Sequence, residues 1–197
     1  MEYHERTLEL EGETISLSYA EAFSQAGDHV YWASLWPSSV ALAQHLLRGA
    51  SLKEKMVLEL GSGCGLAGIA AGKRRGEVTV TDLMPEALQL SQENWNRNGI
   101  SPNRLQQMDW CQPSFSETFD LILGADILYH PNQYPDLLRT VGQLLSVNGS
   151  ILIADPGRPH ANEFFARTIR AGYRLNTTHY AIVLHGREFP ITVTEMT

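Results

Sequence analysis

Residues 56–68, Met-Val-Leu-Glu-Leu-Gly-Ser-Gly-Cys-Gly-Leu-Ala-Gly, constrain the fold more than any other stretch of the chain. Val57, Leu58 and Leu60 read as a short buried strand. Gly61, Gly63 and Gly65 remove side chains where the backbone must turn tightly and let a ligand approach. Leu66 to Ala71 then give a small apolar helix face that can pack close to a sheet. Strand, glycine turn and helix in this order predict a βα unit of an open α/β sheet with a ligand at the turn. Glu59 lies inside the strand, where a carboxylate is costly to bury without a partner. A P-loop does not fit: Gly72-Lys73 is present, but Ala67 stands where its first glycine belongs and Arg74 where Ser or Thr belongs. A dinucleotide fingerprint can be traced through Gly63, Gly65 and Gly68, but it starts two residues late. Begun at Gly61, it puts Leu66 in the third glycine position.

At 197 residues the chain suits one domain, residues 1–197, with residues 1–30 as an N-terminal hairpin extension. The net charge of −7 argues against a nucleic-acid partner, whose affinity rests on Lys and Arg contacts, and is compatible with a cationic substrate. The only cysteines, Cys64 and Cys111, show no metal-ligand spacing or disulfide framework. No apolar run approaches transmembrane length and the N-terminus has no apolar signal core. A cytoplasmic monomer without metal or membrane partner is the expectation.

Thr7 to Tyr19 alternates around Gly12 and predicts a β-hairpin. Trp32 and Trp36 flank an aromatic segment ending at Pro37, which suits the first turn of a helix. Glu77 to Thr81 reads as a second strand ending at Asp82, 23 residues after Glu59, with Leu83 following. An acidic residue at that strand end can accept hydrogen bonds from both ribose hydroxyls, or can cap the helix that starts after Met84. Helix 85–98, a third strand at 104–108 running into Asp109-Trp110, and a fourth, near-continuous apolar strand over 119–125 follow. Gly124-Ala125 is small enough for ligands to come near, and Asp126-Ile-Leu-Tyr129 comes directly after. Helix 131–145, a turn at Asn148-Gly149, a fifth strand at 150–154, a helix marked by Phe164, Phe165, Ile169 and Tyr173, and a closing hairpin complete the chain. The expected fold is α/β: a Rossmann-like, seven-stranded, mostly parallel sheet with helices on both faces, a C-terminal antiparallel hairpin and the N-terminal β-hairpin extension.

The E-x-G-x-G-x-G register from Glu59 to Gly65 resembles motif I of the class I (seven-β-strand) S-adenosylmethionine (SAM) methyltransferases. Trp36-Pro37, the glycine loop and Asp126-Ile-Leu-Tyr129 together resemble the D-x-x-Y protein-lysine N-methyltransferases. Asp155-Pro-Gly-Arg158 is similar to the branch that holds the electron-transfer-flavoprotein lysine methyltransferase and bacterial relatives. The resemblance implies SAM held by Trp36, Glu59, Gly61, Ser62, Gly63, Gly65, Asp82, Leu83, Asp109, Trp110 and Ala125. Glu59 would serve the amino group, Asp82 the ribose, and Asp109 with Trp110 the adenine. It implies Asp126 and Tyr129 as the catalytic pair, Asp126 binding and orienting the incoming ammonium of a protein lysine. N-methylation of a small amine by the same site and a SAM-binding module without catalysis are the alternatives. A dehydrogenase is a further competitor.

Overall fold

The computed structural model describes residues 2–21 and 30–197; the sequence-based extension 1–30 therefore falls partly outside the described residues. Its hairpin is present. Strands β1 (His4–Leu10) and β2 (Glu13–Tyr19) pair antiparallel through the two-residue turn Glu11-Gly12, both at positive φ. That turn matches the right-handed twist of its strands.

Helix α1 (Pro37–Arg48) begins with proline in its first turn, as expected. Then come β3 (Met56–Leu60), α2 (Leu66–Lys73), β4 (Glu77–Asp82), α3 (Pro85–Arg97), β5 (Arg104–Gln107), β6 (Phe119–Ala125), α4 (Tyr134–Leu144), β7 (Leu145–Asp155), α5 (Ala161–Arg170), β8 (Leu175–Leu184) and β9 (Arg187–Met196). The seven-stranded sheet has the order β5-β4-β3-β6-β7-β9-β8. Strands β3 to β7 are parallel, β9 runs antiparallel to β7, and β8 antiparallel to β9.

Successive side chains of the central strands point to opposite faces, and both faces are buried. Val57, Val78, Leu121 and Leu123 face the layer of α1, α2, α3 and the hairpin. Leu58, Leu60, Ile122, Ile151 and Ile153 face the layer of α4 and α5. In α2, Gly68 and Gly72 lie one turn apart against Trp95 of α3. A Cβ on Gly72 would come within 2.6 Å of the indole, so glycine is what lets these helices meet.

Two asparagines of α3, Asn94 buried and Asn98 partly so, tie the hairpin to this body. Asn94 Oδ1 accepts from Ser18 N (2.7 Å), and its Nδ2 donates to Ser18 O and Cys64 O (both 2.9 Å). One turn on, Asn98 makes the same two-way pairing with Ser16. The side-chain amides act as a short surrogate strand along β2.

Three sequence expectations are corrected. Asn148-Gly149 is not a turn between helix and strand: α4 stops at Leu144 and β7 starts at once. Leu145 pairs with Phe119 and Ser150 with Leu121, so the intervening residues bulge from the ladder. Gly149 lies against the carbonyls of Phe119 and Asp120, where a Cβ would be 3.0 and 3.1 Å away. Second, residues 131–133 form a separate 3-10 turn ahead of α4. Third, Tyr173 lies beyond the end of α5.

Candidate active site

Strand order reverses between β3 and β6. In an open α/β sheet the crevice at such a point, outside the carboxyl ends of the strands, is where ligands bind. A cavity of about 710 Å³ lies there, a size ordinary for a small-molecule site. It is lined from five directions: Trp36 before α1, Glu59 of β3 with the glycine loop that follows, the end of β4 from Asp82 to Met84, Met108 to Trp110 after β5, and the end of β6 with Asp126, Ile127, Tyr129 and His130. Arg158, from the turn after β7, completes the wall.

Trp36, Glu59, Gly61, Ser62, Gly63, Asp82, Leu83, Asp109, Trp110, Ala125, Asp126 and Tyr129 all line this cavity. Gly65, the remaining candidate, does not. It is the residue before α2, at φ 82°, and a Cβ there would lie 2.3 Å from Ser91 Oγ of α3. Its demand is helix packing. Trp32 both lines the cavity and packs against the core.

Glu59 is buried. Its Oε1 accepts from Gly68 N (2.9 Å), while its Oε2 has no hydrogen-bond partner among the described residues. Burial pushes the carboxyl up to about 8; the Gly68 bond opposes this and the nearby Asp82 charge adds to it. A folded-state value above the unfolded one means that folding takes up a proton. The stabilisation is full below about 4.5 and is lost as pH rises toward 8. The expected result is a melting temperature that falls between pH 5 and 8 in ligand-free protein, with a smaller fall in E59Q. Equal slopes in a thermal scan of the two proteins would refute it.

Asp82 is also buried. Its Oδ2 accepts from Gly63 N (3.0 Å) and its Oδ1 from Met84 N (2.9 Å), so it pins the glycine loop as well as its own turn. It does not cap α3, whose flanking residue is Met84 without a side-chain cap. Burial raises its proton affinity, against those backbone bonds. Each carboxylate oxygen retains a lone pair for a hydroxyl donor. Gly61 leaves the floor open: a Cβ there would lie 3.3 Å from Ile127 and 3.4 Å from Trp110. Asp109 accepts from Cys111 N (2.8 Å), and Trp110 Nε1 is buried without a partner among the described residues. Trp36 stacks on Tyr31 and donates to its carbonyl (2.9 Å).

Asp126 adopts the left-handed region, φ 59°, which a non-glycine residue holds only when its surroundings require it. Its N–H donates to Ala154 O (2.8 Å). Tyr134 fixes the same turn from α4 by donating to Leu128 O (3.0 Å). The Asp126 carboxylate is buried, and Arg158 Nε donates to its Oδ1 at 2.6 Å. The sequence reading gave Arg158 no role; the Asp155-Pro-Gly-Arg segment was the available signal. Tyr129 is half exposed, and the Arg158 guanidinium lies 5.9 Å from its ring centre. Burial chiefly pushes the Tyr129 hydroxyl up, with Asp82 and Asp126 adding and Arg158 opposing. Among the described residues no cluster of His, Cys, Asp and Glu is suited to hold a metal ion. No helix among them is long and apolar enough to cross a membrane.

Residues 21–171 match the family described as lysine methyltransferase. The protein N-lysine methyltransferase METTL21A of Mus musculus is 36% identical over 156 residues, 75% of this chain and 71% of the relative. EEF1A lysine methyltransferase 3 of Mus musculus is 34% identical over 168 residues, 82% and 69% of the two chains. In fold, the tRNA (uracil-54, C5)-methyltransferase of Pyrococcus abyssi, solved with S-adenosyl-L-homocysteine, superposes with a TM-score of 0.67. It is 18% identical, over 100% of this chain and 45% of that one.

Proposed function

The chain belongs to the lysine methyltransferase family, and on that premise we propose that its cavity binds SAM beside Glu59 and Asp82 and receives a protein lysine beside Asp126 and Tyr129. The observation that carries this reading is one cavity lined both by Glu59, with its unpaired Oε2, and by the buried Asp126 next to Tyr129. The first suits the amino group of the cofactor and the second an acceptor ammonium.

The residues present fit the cofactor. Glu59 Oε2 and Trp110 Nε1 are buried polar atoms without partners among the described residues, and Gly61 keeps clear a space that a side chain would fill. Asp82 would take the ribose hydroxyls, Asp109 and Trp110 the adenine, and Trp36, Leu83, Ser62, Gly63 and Ala125 the remaining wall. When bound, SAM supplies an electrophilic methyl group that an amine can take by in-line displacement.

The lysine arrives mostly protonated, with a pKa near ~10.4. Asp126 binds and orients it and helps the proton leave. The Tyr129 ring offers a face that favours cationic groups. The main catalytic term is alignment of amine and methyl, which needs no nucleophilic side chain of the enzyme. The unpaired thiols of Cys64 and Cys111 support a reducing, cytoplasmic setting. A net charge of −7 supports a protein acceptor rather than a nucleic-acid one, and the protein is taken to act as a monomer.

Incubation with tritiated SAM and a cell extract tests the reading. Label is expected in the protein fraction, recovered as methyl-lysine after hydrolysis. Label confined to small molecules would overturn it in favour of a metabolite amine.

A further inference from the structure

The acceptor end of the cavity holds a charged group that the mechanism above leaves unused. Arg158 closes a rigid turn after β7. Asp155 Oδ1 accepts from Gly157 N (2.7 Å) and Arg158 N (2.8 Å), so the backbone there is held independently of the arginine side chain. That side chain runs to Asp126 through one hydrogen bond, Nε to Oδ1; Oδ2 takes no part in it. The guanidinium also faces the Tyr129 ring. A fixed cation thus shares the carboxylate and the aromatic face assigned to the acceptor.

We propose that Arg158 is a specificity-determining residue: paired with Asp126 it offsets that carboxylate's charge, so the site favours an amine that has shed its proton and disfavours a permanently charged guanidinium. The inference rests on the lysine-transfer reading. Beside Asp126 alone, a lysine would be stabilised as ammonium, with no lone pair for attack. A like charge within about 4–6 Å opposes that stabilisation. The lysine proton leaves to water at the open mouth by Tyr129. Arg158 cannot accept it, because a guanidinium stays fully protonated. An arginine acceptor would remain charged and compete with Arg158 for a single carboxylate.

The charged and titratable groups facing Arg158 are Asp126, Asp155 and Tyr129, with the Asp126 hydrogen bond foremost in strengthening its hold on its proton. Behind them, Asp82 acts on Tyr129, His130 packs edge-on to that ring, and Glu163 and Asp155 act on Tyr134. None of these supplies a second fixed cation at Asp126.

Wild type, R158Q and R158K are compared with tritiated SAM and a protein extract from pH 6.5 to 9.5, with methyl-lysine and methyl-arginine separated after hydrolysis. R158Q is expected to form methyl-lysine about tenfold more slowly at pH 7, a pKa shift of about one unit in the acceptor, with the gap narrowing toward about fivefold at pH 9.5. R158K, which keeps the charge but loses the Nε donor, is expected to recover part of the R158Q loss at pH 7, scored on substrate bands with label on the enzyme's own band excluded. The SAM-dependent rise in melting temperature reports folding, and R158S is a second neutral variant. An equal loss at every pH, unrelieved in R158K, would mark a structural role and overturn the inference. So would an unchanged R158Q profile, or methyl-arginine formed by the wild type. No label in protein from the wild type would instead overturn the lysine-transfer reading itself.

Discussion

Replacing Asp126 with asparagine is expected to lower the rate of methyl-lysine formation by about 10²–10³-fold while SAM affinity stays within about twofold. Asparagine is the informative substitution because Asp126 sits at φ 59°, a conformation that Asn tolerates and most residues do not. The variant keeps the side-chain shape, the N–H bond to Ala154 and a carbonyl oxygen for Arg158. It loses the charge proposed to bind and orient the incoming ammonium. Alanine would confound that loss with backbone strain. Initial rates with tritiated SAM, together with calorimetric SAM binding, separate the two effects. Transfer above one third of wild type, with the cofactor bound normally, would remove Asp126 from the mechanism.

The second large effect is on stability. Asn94→Ala is expected to cost about 3–5 kcal/mol, because it strands Ser18 N, Ser18 O and Cys64 O in the interior, and unsatisfied buried polar groups cost about 1–3 kcal/mol each. For a chain of this size that corresponds to a melting temperature lower by about 10 °C. Asn98, whose bonds to Ser16 are only partly buried, should cost less when replaced. Urea unfolding of both variants gives the comparison, and a cost below about 1 kcal/mol for Asn94→Ala would show that water replaces the lost bonds. Since Cys64 belongs to the glycine loop, Asn94→Ala should also weaken SAM binding.

Asn94 shows where sequence reading stops. The apolar positions of α3, Ala87, Leu90 and Trp95, repeat at helical spacing and identify the buried face. An asparagine on that face reads as solvated until β2 is seen to run beside it. The strands and their ends were legible because burial on both faces leaves continuous apolar runs, and five acidic residues stand at or just past those runs: Glu59, Asp82, Asp109, Asp126 and Asp155. Four of them, Glu59, Asp82, Asp109 and Asp126, line one cavity because parallel strands put their carboxyl ends side by side. The partners of those carboxylates were less legible. Asp82 resembles a helix cap in sequence but bonds the loop of the neighbouring strand. Gly65 belongs to a ligand motif, yet its space is taken by Ser91. Arg158 lies 32 residues from Asp126, and only the β6–β7 pairing brings them together. The Asn148-Gly149 bulge was missed because a turn dipeptide gives the same signal whether the chain reverses or only loops out of its ladder.

The arginine at position 158 has one more consequence. An enzyme that methylates amines carries potential targets in its own chain. Here Lys53, Lys55 and Lys73 are the lysines. Lys53 and Lys55 precede β3, and Lys73 ends α2, just before β4 begins. All three therefore sit at the amino ends of the strands, across the sheet from the cavity. The cation beside the proposed transfer site is instead a residue that cannot offer a free amine lone pair. Under the proposed reaction, the protein thus keeps a positive charge beside Asp126 without offering an amine there for self-methylation.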